Sequence, residues 1–177
     1  MKPSNTLCLV VDIQERLLPA LADAAEMVGR SRTVIQGLQA LDVPLAVTEQ
    51  YPKGLGKTVP AIARLLEDAP VFEKTQFSAL TPEVEALLAE KNIRYVVLIG
   101  AEAHVCMLQT ALDLREKGFN VYIPSDCTAS RDPANKENGL QQMRYAGAVV
   151  GNSESVLFQL LRDAKHPAFK TVSKLIR

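Results

Sequence analysis

Three side chains in this 177-residue sequence could share one reaction centre: the carboxylate of Asp12, the ammonium of Lys74 and the thiol of Cys106. Each lies at the end of an apolar run. Asp12 follows Leu9-Val10-Val11, Lys74 follows Val71-Phe72-Glu73, and Cys106 comes shortly after Leu98-Ile99-Gly100. Helix N-terminal amides and a nearby ammonium lower the pKa of a thiol and make it a nucleophile, and a neighbouring carboxylate can shuttle its proton. Taken singly, each residue has a plainer explanation: a small buried hydrophobe, a helix-capping aspartate, an ordinary surface lysine. Taken together, they describe acyl transfer to sulfur.

The stretch Gly100-Ala101-Glu102-Ala103-His104-Val105-Cys106 suits a tight strand-to-helix connection. Such a connection aims backbone N–H groups at the partner of the thiol, the arrangement of an oxyanion hole. His104 stands two positions from Cys106, and residues two apart on a helix do not face each other, so it suits a pocket wall better than a base. His166 reads as a surface residue. A second motif is a decoy. Gly54-Leu55-Gly56-Lys57-Thr58 ends like a phosphate-binding loop, but Tyr51 occupies the position of the first glycine, and Pro52 and Pro60 stiffen the region. No Gly-rich turn follows Asp12 either, so no nucleotide cofactor is expected.

These residues need elements to bring them together. Leu7–Ile13 is a continuous apolar run ending in the region of an acid, as in a strand covered on both faces of a parallel sheet. Similar runs occupy Pro44–Thr48, Val71–Glu73, Arg94–Gly100, Asn120–Pro124 and Ala148–Gly151. Between them, helical patterns cover Ala20–Leu41, Val59–Glu67, Pro82–Lys91, His104–Lys117, Pro133–Tyr145 and Ser155–Asp163. Thr81 and Asp132 are N-cap candidates ahead of Pro82 and Pro133, and Gly118 fits a helix end. Strict alternation with short turns predicts a doubly wound α/β domain, a parallel sheet of about six strands with helices on both faces. Ligands of such sheets bind beyond the carboxyl ends of the strands, where all three chemical residues fall.

Composition narrows the partners. Twenty Lys+Arg balance twenty Asp+Glu, leaving no field to attract nucleic acid or an anionic membrane surface. No apolar stretch approaches the roughly 18 residues of a membrane span, and the first run is too short for a signal-peptide core. Three cysteines, Cys8, Cys106 and Cys127, suggest neither a disulfide framework nor a zinc module. The expectation is a cytoplasmic protein with one domain over residues 1–177. In its tail, 165–177, Phe169, Val172, Leu175 and Ile176 form an apolar stripe that must cover either its own domain or a neighbouring subunit.

The motifs resemble those of the isochorismatase-like cysteine hydrolase superfamily along nearly the whole chain. Val10-Val11-Asp12-Ile13-Gln14 is similar to its first-strand acid motif, Phe72-Glu73-Lys74-Thr75-Gln76-Phe77-Ser78 to its lysine motif, and Gly100–Cys106 to its nucleophile motif. Thr48-Glu49-Gln50-Tyr51-Pro52-Lys53-Gly54-Leu55-Gly56 looks closest to the isochorismatase domain-containing, YcaC-related subgroup. The resemblance implies a catalytic triad of Asp12, Lys74 and Cys106, a cis peptide at Ala101-Glu102, and an oxyanion hole made by the Glu102 and Cys106 amides. It further implies hydrolysis of a small amide or related acyl compound through a thioester, in a homo-oligomer, with Tyr51, Phe77 and His104 as pocket walls. Two departures refine it. Nicotinamidases of the superfamily bind a metal through histidines, whereas residues 49–58 contain none, so neither a metal nor another cofactor is expected. Isochorismatases proper lack the cysteine, so isochorismate is not the expected substrate. The alternative is a non-catalytic small-molecule-binding or scaffold protein that keeps the fold.

Overall fold

The computed structural model describes residues 1–177. Every long strand is parallel to its neighbours, in the order β3-β2-β1-β4-β5-β7. The strands are β1 (Thr6–Val11), β2 (Leu45–Gln50), β3 (Val71–Lys74), β4 (Tyr95–Ala101), β5 (Asn120–Pro124) and β7 (Val149–Gly151); the two-residue β6 (Thr128–Ala129) pairs with the end of β4. The sheet grows outward from β1 to β3, then resumes on the other side of β1 with β4. Chain direction through the sheet therefore reverses between β1 and β4, which opens a crevice at their carboxyl ends.

Burial explains why these segments became strands. All six residues of β1 are buried, with Leu7, Leu9 and Val11 facing one apolar cluster and Cys8 and Val10 facing the other. β4 divides the same way: Val96 and Leu98 to one side, Val97, Ile99 and Ala101 to the other. A period of two that is apolar on both faces requires helices above and below the sheet. One face is covered by α1 (Ala24–Ala40), α7 (Ser153–Leu161) and α8 (Phe169–Leu175), the other by α4 (Pro82–Glu90), α5 (Leu108–Glu116) and α6 (Pro133–Tyr145). The fold expected from the alternation is the fold observed.

Local punctuation also lies where the sequence put it. Thr81 Oγ1 accepts from the Val84 N–H at 3.3 Å and Asp132 Oδ1 from the Ala134 N–H at 2.8 Å, each ahead of a proline in the first turn. Gly118, at φ 85, ends α5. Elsewhere the expectation needs correction. The helix read over Val59–Glu67 is only one turn, α3 (Pro60–Ala63), followed by turns, and a second short turn, α2 (Pro52–Leu55), precedes it. Pro52 and Pro60 both sit at helix starts, so so short a segment is divided into two single turns. The first helix begins at Ala24 rather than Ala20, after a 3-10 turn at Leu18–Ala20. The C-terminal stripe covers its own chain: Val172 is fully buried and Phe169 and Ile176 pack against the α1 side.

Candidate active site

Asp12 follows β1 directly, in the left-handed region at φ 54 that aspartate tolerates better than most residues. That turn aims its carboxylate across the end of β2 toward β3. Its Oδ2 lies 2.7 Å from Lys74 Nζ at the end of β3, with both side chains fully inaccessible to solvent. Its Oδ1 accepts from Thr48 Oγ1 at 2.8 Å. Two fully buried charges survive only with complete hydrogen bonding, because each costs several kcal/mol to remove from water. Lys74 is correspondingly saturated. Its Nζ donates to Asp12 Oδ2 at 2.7 Å, Gln50 Oε1 at 2.7 Å and the Phe77 carbonyl at 2.9 Å, with the Gln76 carbonyl at 3.3 Å. An ammonium has three N–H groups, so any contact it makes to sulfur comes at the expense of one of these.

Cys106 comes from the third segment. After β4 the chain passes through a cis peptide at Ala101-Glu102 and enters a π-helical turn, Ala103–Met107, before α5. The turn is closed by the Glu102 carbonyl, which accepts from the Val105 N–H at 3.1 Å and the Met107 N–H at 3.2 Å. Close approach of the backbone dictates two glycines. Gly100, at φ 128, leaves no room for a Cβ against the Val11 carbonyl, and a Cβ on Gly139 of α6 would meet the His104 backbone at 2.8 Å. Cys106 is 6% exposed and near enough to Asp12 and Lys74 for both to enter its titration.

The electrostatics reverse one expectation. The thiol is not lowered: burial, then the Asp12 charge, push it from 9.0 up to about 12, with Lys74 opposing. Burial also pushes the Asp12 carboxyl up, against the pull of Lys74 and the Thr48 hydroxyl. The helix-end amides and ammonium are present, but the thiol is buried and the cation is committed to Asp12, so the neutral thiol wins. The arrangement is thus an ion pair beside a thiol that burial holds in its neutral form.

The remaining predicted residues fall in different places. Phe77 contributes its carbonyl to Lys74, while the residue as a whole is 52% exposed. Tyr51, 55% exposed, lines a shallow depression of about 340 Å³ with Pro52, Lys53, Glu73, Lys74 and Thr75. That depression does not include Phe77, His104 or Cys106, and the Lys74 ammonium is sealed beneath it. His104 is half-buried, its Nδ1 3.0 Å from Ser130 Oγ and so not engaged with Cys106 through that nitrogen. The decoy loop also has an explanation: Lys57 Nζ lies between Glu49 at 3.2 Å and Glu73 at 3.1 Å, and Glu49 Oε1 accepts from the Thr58 N–H and hydroxyl.

Several supporting residues carried no role in the sequence reading. Gln50 and Thr48 orient the ion pair; Gln14, fully buried, joins the first-strand loop to Gln50 and Gly56 through both ends of its amide. Thr110 accepts from the Ala79 N–H at 2.7 Å and donates to the Cys106 carbonyl at 2.5 Å, tying the lysine loop to the nucleophile turn. The available signal was a polar residue ending or following a fully apolar strand, since a buried polar group must have a partner.

Comparison with known proteins fits this geometry. Residues 6–155 match the family model described as the isochorismatase domain. The chain belongs to that family. It is 43% identical over 180 residues to isochorismatase domain-containing protein 1 of Salmo salar, covering 99% of this chain and 62% of that protein. The chain thus spans less than two thirds of the length of that relative. The secreted isochorismatase effector Isc1 of Phytophthora sojae is 40% identical, with 99% of this chain and 86% of that protein covered. Among solved structures, the MAR1 ribonuclease from Caenorhabditis elegans superposes with a TM-score of 0.95 at 41% identity, covering 99% of this chain and 91% of that one. The YcaC gene product of Escherichia coli, described as an octameric hydrolase of unknown specificity, shares the fold at a TM-score of 0.91 and 20% identity, over 99% of this chain and 88% of that one.

Proposed function

We propose that this protein is a cysteine hydrolase that cleaves a small amide or related acyl compound through a thioester on Cys106. The observation carrying this reading is the convergence of Asp12, Lys74 and Cys106 at the reversal point of the sheet, with the thiol coupled to a carboxylate whose basicity burial has raised. Cys106 hands its proton to Asp12 as sulfur bonds to the substrate carbonyl carbon. The Glu102 and Cys106 N–H groups receive the resulting oxyanion. As the intermediate collapses, the C–N or C–O bond breaks and protonated Asp12 delivers its proton to the departing group. Asp12, again a carboxylate, takes a proton from water; the hydroxide adds to the thioester, and sulfur leaves with the proton returned. Lys74 keeps Asp12 oriented through its 2.7 Å contact. Tyr51, Phe77 and His104 serve as outer walls of the substrate approach, and no metal or other cofactor takes part.

The protein works as a homo-oligomer in the cytoplasm on this reading, consistent with three unpaired thiols and with the octameric fold relative. No helix is long and apolar enough to cross a membrane. The deciding experiment is intact-mass analysis after exposure to a mixed panel of amides and activated esters. An acyl adduct on the native protein, absent from Cys106→Ala, is the expected result. A tightly held, unmodified small molecule indifferent to Cys106→Ala would favour a non-catalytic binding protein instead. A parallel assay with an RNA oligonucleotide addresses the ribonuclease named among the relatives; cleavage lost in Cys106→Ala would replace the acyl-transfer reading.

A further inference from the structure

One short segment, Thr128–Arg131, grips the nucleophile connection residue by residue. β6 pairs Thr128 with Gly100 and Ala129 with Ala101, and Thr128 Oγ1 donates to the Gly100 carbonyl at 2.8 Å. Ser130 Oγ meets His104 Nδ1 at 3.0 Å, and Ser130 is itself 1% exposed, its carbonyl accepting from the Ala22 N–H. Arg131 places two donors on one oxygen of Glu102: its backbone N–H at 2.9 Å and its Nε–H at 3.1 Å. The Glu102 side chain is 8% exposed and that of Arg131 is 63%.

This ion pair is asymmetric. An exposed pair ordinarily adds little to stability. Here, however, the carboxylate is buried and belongs to the residue whose N–H is proposed above to receive the oxyanion, so its anchorage bears on geometry rather than on folding. Oxyanion donors act only when held in place before the charge appears. We infer that Arg131 is a positioning residue of the acyl-transfer centre: by fixing the Glu102 carboxylate, it sets the direction of the Glu102 N–H. This rests on the cysteine-hydrolase reading above.

The test compares two reactions of the same sulfur in the full chain. Acylation by p-nitrophenyl acetate passes through an oxyanion, whereas exchange with 4,4'-dithiodipyridine involves no carbonyl. Arg131→Ala is expected to slow acylation of Cys106 about tenfold, since a donor is loosened and not removed, with disulfide exchange unchanged. Arg131→Gln, whose amide can still donate to Glu102, recovers part of the loss. Equal acylation by wild type and Arg131→Ala overturns the inference, as does a parallel fall of both reactions in both variants. Failure of the wild type to acylate at Cys106 overturns the hydrolase reading beneath it, a result distinct from either.

Discussion

Cys8, within β1, and Cys106, in the turn after β4, are both buried thiols, and burial raises the pKa of each. Their surroundings differ. Cys8 sits in the middle of β1 within an apolar cluster, and desolvation alone governs its thiol. Cys106 lies in a π turn at the sheet rim, where desolvation, the Asp12 carboxylate and the Lys74 ammonium all act on it. Cys127 resembles Cys8, pushed well above the ordinary range mainly by burial. On the mechanism proposed above, a low resting pKa is therefore not what would set Cys106 apart from the other two thiols. On that reading the separation would come from Asp12, an adjacent buried carboxyl that burial pushes up.

The largest way to break this comparison is to exchange the roles. Cys106→Ala should abolish acyl transfer, a loss on the order of 10⁶-fold for a nucleophile, while Cys8→Ala leaves the rate essentially unchanged. Turnover of an activated ester measures both, and comparable losses in the two variants would erase the distinction.

Next is the acceptor itself. Asp12→Asn removes the base and is expected to lower acylation by roughly 10²- to 10⁴-fold. It also strands the Lys74 ammonium in a fully buried site, so unfolding in urea should show a loss of about 3–5 kcal/mol. Adding Lys74→Met to that variant is expected to restore much of the stability and none of the activity. Recovery of activity would mean that Asp12 serves only to neutralise Lys74.

A finer probe is Thr48→Val, which removes the hydroxyl donor to Asp12 with little change of shape. Losing a donor to the charged form raises the carboxyl further. The acid limb of the pH–rate profile, set by ionisation of Asp12, should consequently move to higher pH. An unmoved limb would assign it to another group.

The smallest effect is on stability. An unfolded Cys106 thiol ionises near 9.0, whereas the folded one holds its proton to about 12. Between those values the native state binds more protons than the unfolded state, so stability is lost as pH rises through that window. Urea midpoints at successive pH values should fall more steeply for wild type than for Cys106→Ala. Identical slopes would show that the thiol is not held neutral.

Much of this was readable from local pattern. Apolar runs of strand length, prolines behind Thr81 and Asp132, and glycine at 118 act within a few residues, so the order of elements followed from the sequence alone. The doubly wound parallel sheet then placed Asp12, Lys74 and Cys106 at one rim, because side chains just beyond strand ends share an edge whatever the details of packing. Tyr51 and Phe77 were less legible: they follow β2 and β3 closely in sequence, but whether a ring lines a crevice or faces solvent depends on neighbours elsewhere in the chain.

The sequence by itself determined which side chains have chemistry and the strand ends that carry them. Only the tertiary structure decided that Lys74 spends its three donors on Asp12, Gln50 and Phe77, that the Cys106 thiol rests neutral, and that Thr128–Arg131 clamps the turn holding it. The physical reason is separation along the chain. Lys74 and Asp12 are 62 positions apart and Arg131 and Glu102 are 29, so their contacts and desolvation exist only once the sheet has closed over them.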